Sequence, residues 1–498
     1  MFSKSSNRRS IQQNGTIWIG VISLISLGGY LLASRLTHSI GFPLDDAWIH
    51  QTYARNLGVT GEWAFILGQP SAGSTAPLWT VLLAFGHSLG VGPFFWTYLL
   101  GWILLWSIGW MGMRLFQAIA PDRPKWAIAA GLLLVVEWHL VWAAASGMET
   151  MLYAGLILLV LSWLSRDRPS WFFIGCAIGL SIWVRPDGLT LLGPAIAVAF
   201  FHPSTLRQKI TRLIRLGAGV LLLFAPYLYW NLDLTGSWWP NTFYAKQAEY
   251  AVELLEPLWK RLLEQALLPN VGVGIMLLPG FFRTMANTYQ TRRWGLFWGS
   301  IWAAGYLVLY AMRLPVTYQH GRYIMPMMPV YFLLGLGGVI ELVKTSSSNF
   351  GVRVFGRVWL LSIFVTSLSF WFLGARSYAR DVAFIESEMV SVSQWVARYT
   401  ETDALIAAHD IGALGFYGER NLLDLAGLVS PEVIPFIRDE VRISQWMEEN
   451  GADYLVTFPS WYPVLAKDLI PIYQGSGAFS QAFGGENMAV YRWDLRLR

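Results

Sequence analysis

The sequence predicts a mostly α-helical protein: a polytopic transmembrane bundle of about 11 spans with a small C-terminal α/β domain. Three observations predict it. The 498 residues are 55% hydrophobic and only 13% charged, with a mean hydropathy of +0.43, where a soluble domain carries about 25% charged residues. Apolar runs of span length recur along the first three quarters of the chain. After Arg376 the runs stop, and short strand-like and helix-like stretches alternate instead. The 27 tryptophans fit a membrane protein, because indoles collect at both membrane–water interfaces. A net charge of +5 does not imply a nucleic-acid partner here, since the placement of the basic residues matters more than their sum. Cys176, the single cysteine, sits in an apolar run and cannot form an internal disulfide.

Lys4, Arg8 and Arg9 followed by Ile17–Ala33 resemble a signal peptide, but the apolar region is too long and no small-x-small site closes it. A retained first span is expected. The candidate spans are 16–35, 92–114, 126–145, 149–164, 170–185, 187–202, 214–231, 264–283, 295–312, 323–344 and 357–375. With the N-terminus and every second loop placed in the cytoplasm, that side holds 18 Lys and Arg residues against 8 in the opposite loops. The bias puts the N-terminus in the cytoplasm and the C-terminal domain outside, in a plasma (bacterial inner) membrane. It also requires that Ala76–Leu89, a short run, does not cross. The pair 170–185 and 187–202 is short as well. At ~1.5 Å per residue, about 14 residues reach ~21 Å of a ~30 Å core, so the intervening Arg185-Pro186-Asp187 turn is expected in a recessed vestibule. The expected division is 1–375 as membrane module, with an outer loop at 36–91, and 376–498 as extracytoplasmic domain. There is no internal repeat, and no low-complexity segment beyond Ser346–Ser348.

The stretch Phe42–Leu57 carries the chemistry. Asp45 and Asp46 open an amphipathic helix whose Trp48, Ile49, Tyr53 and Leu57 recur at helical spacing, which predicts a helix lying in the membrane interface. Other polar residues gather on the same expected face: His50, Glu149, Arg185, Asp187, Asn241, Tyr244, Lys246, His320, Arg322, Tyr323 and the His409-Asp410 pair. Acids and bases converging there suit an anionic lipid headgroup, with a carboxylate to take a proton and arginines to hold a phosphate. Each has a plainer reading. Asp45 or Asp46 caps the helix, and Glu149 caps the fourth span. Arg185 and Asp187 form a turn ion pair, Arg313 and Lys260 are interfacial anchors, and His409-Asp410 is a satisfied loop pair. Asp46 and His50, four apart, allow a divalent metal, but two ligands are weak grounds and a hydrogen-bonded pair is the simpler reading. No P-loop, nucleophile elbow or zinc-protease helix is present.

Taken together, Leu44-Asp-Asp-Ala-Trp-Ile-His50, Tyr53-Ala-Arg55, Ser74-Thr-Ala-Pro-Leu-Trp79, Ser146-Gly-Met-Glu-Thr150, Arg185-Pro-Asp-Gly188, Pro240-Asn-Thr-Phe-Tyr-Ala-Lys246, Gly321-Arg-Tyr323 and Asp410-Ile-Gly-Ala-Leu-Gly415 resemble the GT-C class of polytopic membrane glycosyltransferases. The branch is one related to protein O-mannosyltransferases, aminoarabinose transferases and mycobacterial arabinofuranosyltransferases. The resemblance implies a polyprenyl-phosphate sugar donor entering from membrane lipid, an extracytoplasmic acceptor (glycan, lipid or protein), and inverting transfer. It also implies that an acid of the first outer loop, Asp45 or Asp46, is the base, and that Glu149, Arg185 and Arg322 contact substrate. No cofactor is firmly implied. Two rivals come from other classes: a transporter or flippase of a lipid-linked saccharide, which predicts midplane ionisable residues and an inverted repeat, and a non-catalytic scaffold.

Overall fold

The computed structural model describes residues 2–344, 349–482 and 484–493, with side chains of the first helix from Asn14 onward. Ser346–Ser348 and the side chains of Lys4, Arg8, Arg9 and Lys344 lie outside the described residues. Among the described residues, six helices are long and apolar enough to cross a membrane: Asn14–Thr37, Pro93–Ile119, Leu206–Thr235, Trp294–Arg313, Tyr318–Val343 and Phe350–Tyr399. Two bent helix pairs and three shorter apolar helices coincide with the remaining expected spans. The protein is membrane-embedded, and counting each bent pair as one span brings the helices long and apolar enough to cross to eight among the described residues.

Two expected straight spans are broken. Trp126–Val136 and Trp138–Ala145 meet at 54° because Glu137 adopts an extended backbone, and its carboxylate caps the second helix through the Leu140 N–H. Leu258–Asn270 and Gly274–Gln290 meet at 103°. Pro269 and Gly272, the latter at φ +93°, make that corner, and the first arm is an amphipathic helix rather than part of a span. The Pro77–Ser88 helix has 12 residues and is no candidate span. Helices approach closely where small residues meet: a Cβ on Gly175 or Gly219 would strike the facing backbone of the Trp171–Ile182 and Leu206–Thr235 pair.

Helix directions separate two ends of the bundle. Arg293 bonds the carbonyl of Ile119 where Pro93–Ile119 finishes, and Arg283 pairs with Glu341 near the end of Met328–Lys344 (2.5 Å). At the other end, Tyr98 near the start of Pro93–Ile119 bonds Gly41 beside the acid pair, and Thr242 bonds Gly73. The aspartates therefore lie away from Arg283, Arg292 and Arg293, at the opposite end of the helices.

Phe350–Ile385 runs on through residues 386–390 into Ser391–Tyr399 and delivers the chain to a five-stranded sheet. A small hairpin, β1 (Ala64–Ile66) and β2 (Gln69–Pro70), precedes it in sequence. The sheet comprises β3 (Leu405–Ala408), β4 (Asn421–Asp424), β5 (Tyr454–Thr457), β6 (Pro471–Gln474) and β7 (Ala489–Arg492), in the order β4-β3-β5-β7-β6. The first three are parallel, and β7 is antiparallel to β5 and β6. The alternation of short strands and helices expected after Arg376 is present, with the Glu440–Glu449 helix between β4 and β5. The edge strand β6, mostly exposed and opened by a proline, is the addition.

Candidate active site

The Asp45–Thr60 helix is buried on both of its faces, which corrects the expectation that it lies in the membrane interface. Trp48 packs on Phe94 of the bundle and on Phe416 and Tyr417 of the C-terminal domain. Gly61, at φ +80°, ends the helix. The backbone at Leu44 is extended and no side chain caps the first turn, so neither aspartate has the expected capping role there.

The two aspartates face different partners. Asp45 accepts hydrogen bonds from the backbone N–H of Gly412 (2.7 Å) and Ala413 (2.8 Å), tying the helix to the C-terminal domain. Gly412 is required by that approach, because a Cβ there would collide with the Asp45 backbone oxygen. Burial, with Asp410 nearby, raises the Asp45 carboxyl to about 8 against the pull of the two N–H donors. Asp46 receives the Lys246 ammonium at 3.2 Å on one oxygen and the Arg322 guanidinium at 3.1 Å on the other. Burial pushes its carboxyl up, but the two cations outweigh this and hold it well below the usual carboxylate range. Lys246 is raised in turn: burial lowers it, and Asp46 more than compensates. Both cations also donate to the Tyr323 hydroxyl, at 3.0 and 3.1 Å.

Asp46 stands between two cavities. The smaller, about 320 Å³, is lined by Asp46, His50, Glu149, Arg185, Asp187, Lys246, Arg313, Arg322 and Tyr323. The larger, about 900 Å³, lies between the bundle and the sheet domain; it shares Asp46, Lys246 and Arg322 with the smaller and adds Asp45, Glu249, His320, Asp381, His409 and Asp410. In the smaller one, Arg185 pairs with Asp187 (3.1 Å) and Glu149 (3.5 Å), and donates to the Tyr310 hydroxyl at 2.9 Å. The turn ion pair and the cavity wall are thus the same residues. Glu149 does not cap its helix; it faces Arg185 and His50. His50 turns away from Asp46, with Nδ1 on Ser74 (3.0 Å) and Nε2 on Glu149 (3.5 Å). The expected Asp46–His50 pair is absent, and among the described residues no three His, Cys, Asp or Glu side chains gather to hold a metal ion. Asp46 and His50 therefore do not form the two-ligand pair on which the sequence allowed a divalent metal.

In the larger cavity, His320 bonds Asp381 at 2.8 Å. His409 is held between Glu249 (3.4 Å) and the Tyr462 hydroxyl (2.8 Å). Burial lowers the His409 imidazole, but Tyr462, Glu249 and Asp410 raise it well above its ordinary value. Asp410 is pushed up to about 6, chiefly by burial. Asn241 and Tyr244 line neither cavity; Asn241 is buried at the start of its helix and Tyr244 is exposed.

Several cavity residues escaped sequence reasoning. Glu249 is three residues after Lys246 on the Asn241–Glu249 helix, a spacing that could have flagged it. Asp381 and Tyr310 gave no local signal. Arg313, read as an anchor, lines the smaller cavity and donates to Gln247 at 3.3 Å.

In sequence, residues 379–491 match a family described only as a domain of unknown function, DUF8728. No curated protein matches the chain. In structure, the chain is similar to ArnT from Cupriavidus metallidurans bound to undecaprenyl phosphate, with a TM-score of 0.59 and 16% identity over 96% of this chain and 98% of that one. ArnT in the apo state gives a TM-score of 0.57 at 16% identity, over 96% and 98% of the two chains. Arabinofuranosyltransferase AftD from Mycobacteria gives 0.50 at 15% identity, over 96% of this chain and 41% of that one. The aminoarabinose transferase and the arabinofuranosyltransferase are both GT-C glycosyltransferases, so the protein has the fold of the class that its sequence motifs resemble.

Proposed function

We propose that the protein is a membrane glycosyltransferase that moves a sugar from a polyprenyl-phosphate donor to an extracytoplasmic acceptor with inversion, Asp46 being the base. The observation that carries this reading is the position of Asp46, bound by Lys246 and Arg322 at the junction of two cavities. The smaller cavity, with Arg185 and Arg313 in addition to the shared pair, suits the sugar phosphate. A donor phosphate would take over Lys246 and Arg322 and release the Asp46 carboxylate, which is a poor base while both cations hold it. The acceptor hydroxyl oxygen then bonds the anomeric carbon from the face opposite the phosphate, and its proton passes to Asp46. The C1–O bond breaks with its electron pair going to polyprenyl phosphate. That phosphate leaves as a stable anion held by two cations, so no general acid is needed.

In this reading Asp45 is a positioning residue, its carboxyl spent on Gly412 and Ala413. Residues 1–375 form the catalytic membrane module, and 376–498 form the extracytoplasmic domain that roofs it. The N-terminus is cytoplasmic in a bacterial inner membrane. His50, Glu149 and Asp187 orient the cations around the donor. Radiolabelled polyprenyl-phosphate sugars incubated with the purified protein in nanodiscs test it. Transfer or slow donor hydrolysis that is lost in Asp46→Asn supports the reading. Translocation of donor without sugar release would point to a flippase, and donor binding unaffected by Lys246 and Arg322 variants would refute the site.

A further inference from the structure

The glycosyl-transfer reading leaves the acceptor's chemistry open, and the larger cavity bears on it. Besides the groups it shares with the smaller cavity, its ionisable wall is mainly carboxyl: Asp45, Glu249, Asp381, Asp410 and Glu440 against the guanidinium of Arg438 and the imidazoles of His320 and His409. Glu440 is engaged by the backbone N–H groups of Val464 and Leu465. Glu249 is met by His409, and Asp381 by His320. Asp410 differs from these: its Oδ2 is shielded from solvent and has no hydrogen-bond partner, in a wall that faces the cavity. A shielded carboxylate oxygen without a donor is costly unless a ligand supplies one. An aromatic face stands close by. Trp461 lines the cavity, is 50% exposed, and meets the His409 ring edge-on at 5.4 Å.

Hydroxyl-accepting carboxylates beside an open indole suit a sugar ring, which offers O–H donors around its rim and an apolar face of C–H groups. They do not suit an anion. With a donor phosphate on Lys246 and Arg322, an acidic acceptor would find Arg438, with His409 and His320 already answered by Glu249 and Asp381, against a wall of carboxyl groups. We propose that the larger cavity is the acceptor site and that it takes an uncharged saccharide, held by hydrogen bonds to Asp410 and by stacking on Trp461. This rests on the transfer reading above and adds selection against phosphorylated or carboxylated acceptors. The carboxyl of Asp410, pushed up to about 6, still accepts hydrogen bonds at neutral pH.

The test uses full-length protein in nanodiscs and two matched probe sets: neutral alkyl oligosaccharides of hexose or pentose units, and the same compounds carrying a uronate or a phosphate. Binding is read with polyprenyl phosphate present at saturation, so that Lys246 and Arg322 are occupied, by the quenching of tryptophan emission that Trp461→Phe removes, and polyprenyl phosphate binding is measured separately. Neutral probes are expected to bind at least about tenfold more tightly than acidic ones, roughly one lost charge-assisted contact. Asp410→Asn should raise the KM for the neutral acceptor by about tenfold, as a charge-assisted hydrogen bond gives way to a neutral one, and should narrow the preference for neutral over acidic probes. Equal binding of acidic probes, or an unchanged KM in Asp410→Asn, overturns the proposal. If polyprenyl phosphate binds but no neutral saccharide does, this inference falls and the transfer reading stands. If neither binds, both fall.

Discussion

Asp46 and Lys246 are 200 positions apart in sequence and 3.2 Å apart in space. Arg322 closes the triad from a third segment. Replacing Asp46 with Asn keeps the shape and removes the proton acceptor. Its kcat should fall by about 10²–10⁴, the usual contribution of a positioned base. The KM for donor should stay level or drop, since the phosphate no longer competes with a carboxylate for the two cations. Steady-state transfer from labelled donor reads both parameters.

Lys246→Met should act on the other side of the same contact. Polyprenyl phosphate binding should weaken by about tenfold or more through the lost charge-assisted bond. Asp410→Asn should leave that binding unchanged. Equilibrium binding of the phosphate-bearing lipid without its sugar distinguishes the two.

The docking of the C-terminal domain should loosen as pH rises. Asp45 ordinarily ionises at 3.8 and in the folded protein at about 8, so between these values the native state keeps a proton that the unfolded chain has released. The native state then binds more protons, and stability declines from about pH 4 to about pH 8, becoming level beyond. Asp410, raised to about 6, acts with the same sign over the lower part of that window. His409, raised above its ordinary value, also gives stability that is lost as pH rises. Protease resistance of residues 376–498 should therefore be greater at pH 5 than at pH 9, and Asp45→Asn should flatten the difference.

Two glycines place the site and can be tested by one methyl group each. Gly412→Ala drives a Cβ into the Asp45 backbone oxygen, and should destabilise the docked domain by about 1–3 kcal/mol, the range for overpacking. Gly321→Ala meets Leu268 at 2.7 Å in a backbone at φ +69°, next to Gln319 and His320, which are also left-handed. The left-handed conformation alone costs an alanine about 1–2 kcal/mol. Because Arg322 follows directly, the expected readout is weaker lipid-phosphate binding with the domain still docked, seen by binding and proteolysis together.

The bundle was legible because apolar runs of span length have few alternative uses, and the sheet because its parallel strands are short, apolar and bounded by turn residues. The site was legible in part. Asp46, Lys246, Arg322 and the Arg185-Asp187 turn are charges set among apolar neighbours, which need a reason to be there. Nothing local told Asp45 from Asp46, because the partner that occupies Asp45 is a pair of backbone N–H groups 367 and 368 residues away. The helix that bears them read as interfacial because its second buried face is covered by a domain whose packing leaves no mark on periodicity. The breaks at Glu137 and Gly272 were missed for a related reason: a polar residue or glycine inside an apolar run is compatible with a straight helix until tertiary contacts decide otherwise.

The last membrane helix continues through residues 386–390 into Ser391–Tyr399 without a loop, and Asp381 on it grips His320 and the Trp142 indole. A rod that is seated in lipid at one end and supports a roof at the other transmits tilt. Thicker or thinner bilayers change the inclination of such a rod by a modest amount. The gap above Asp46 should widen or narrow with it, so that the proposed turnover in nanodiscs of graded acyl length tracks lipid dimensions even when substrate concentrations are fixed.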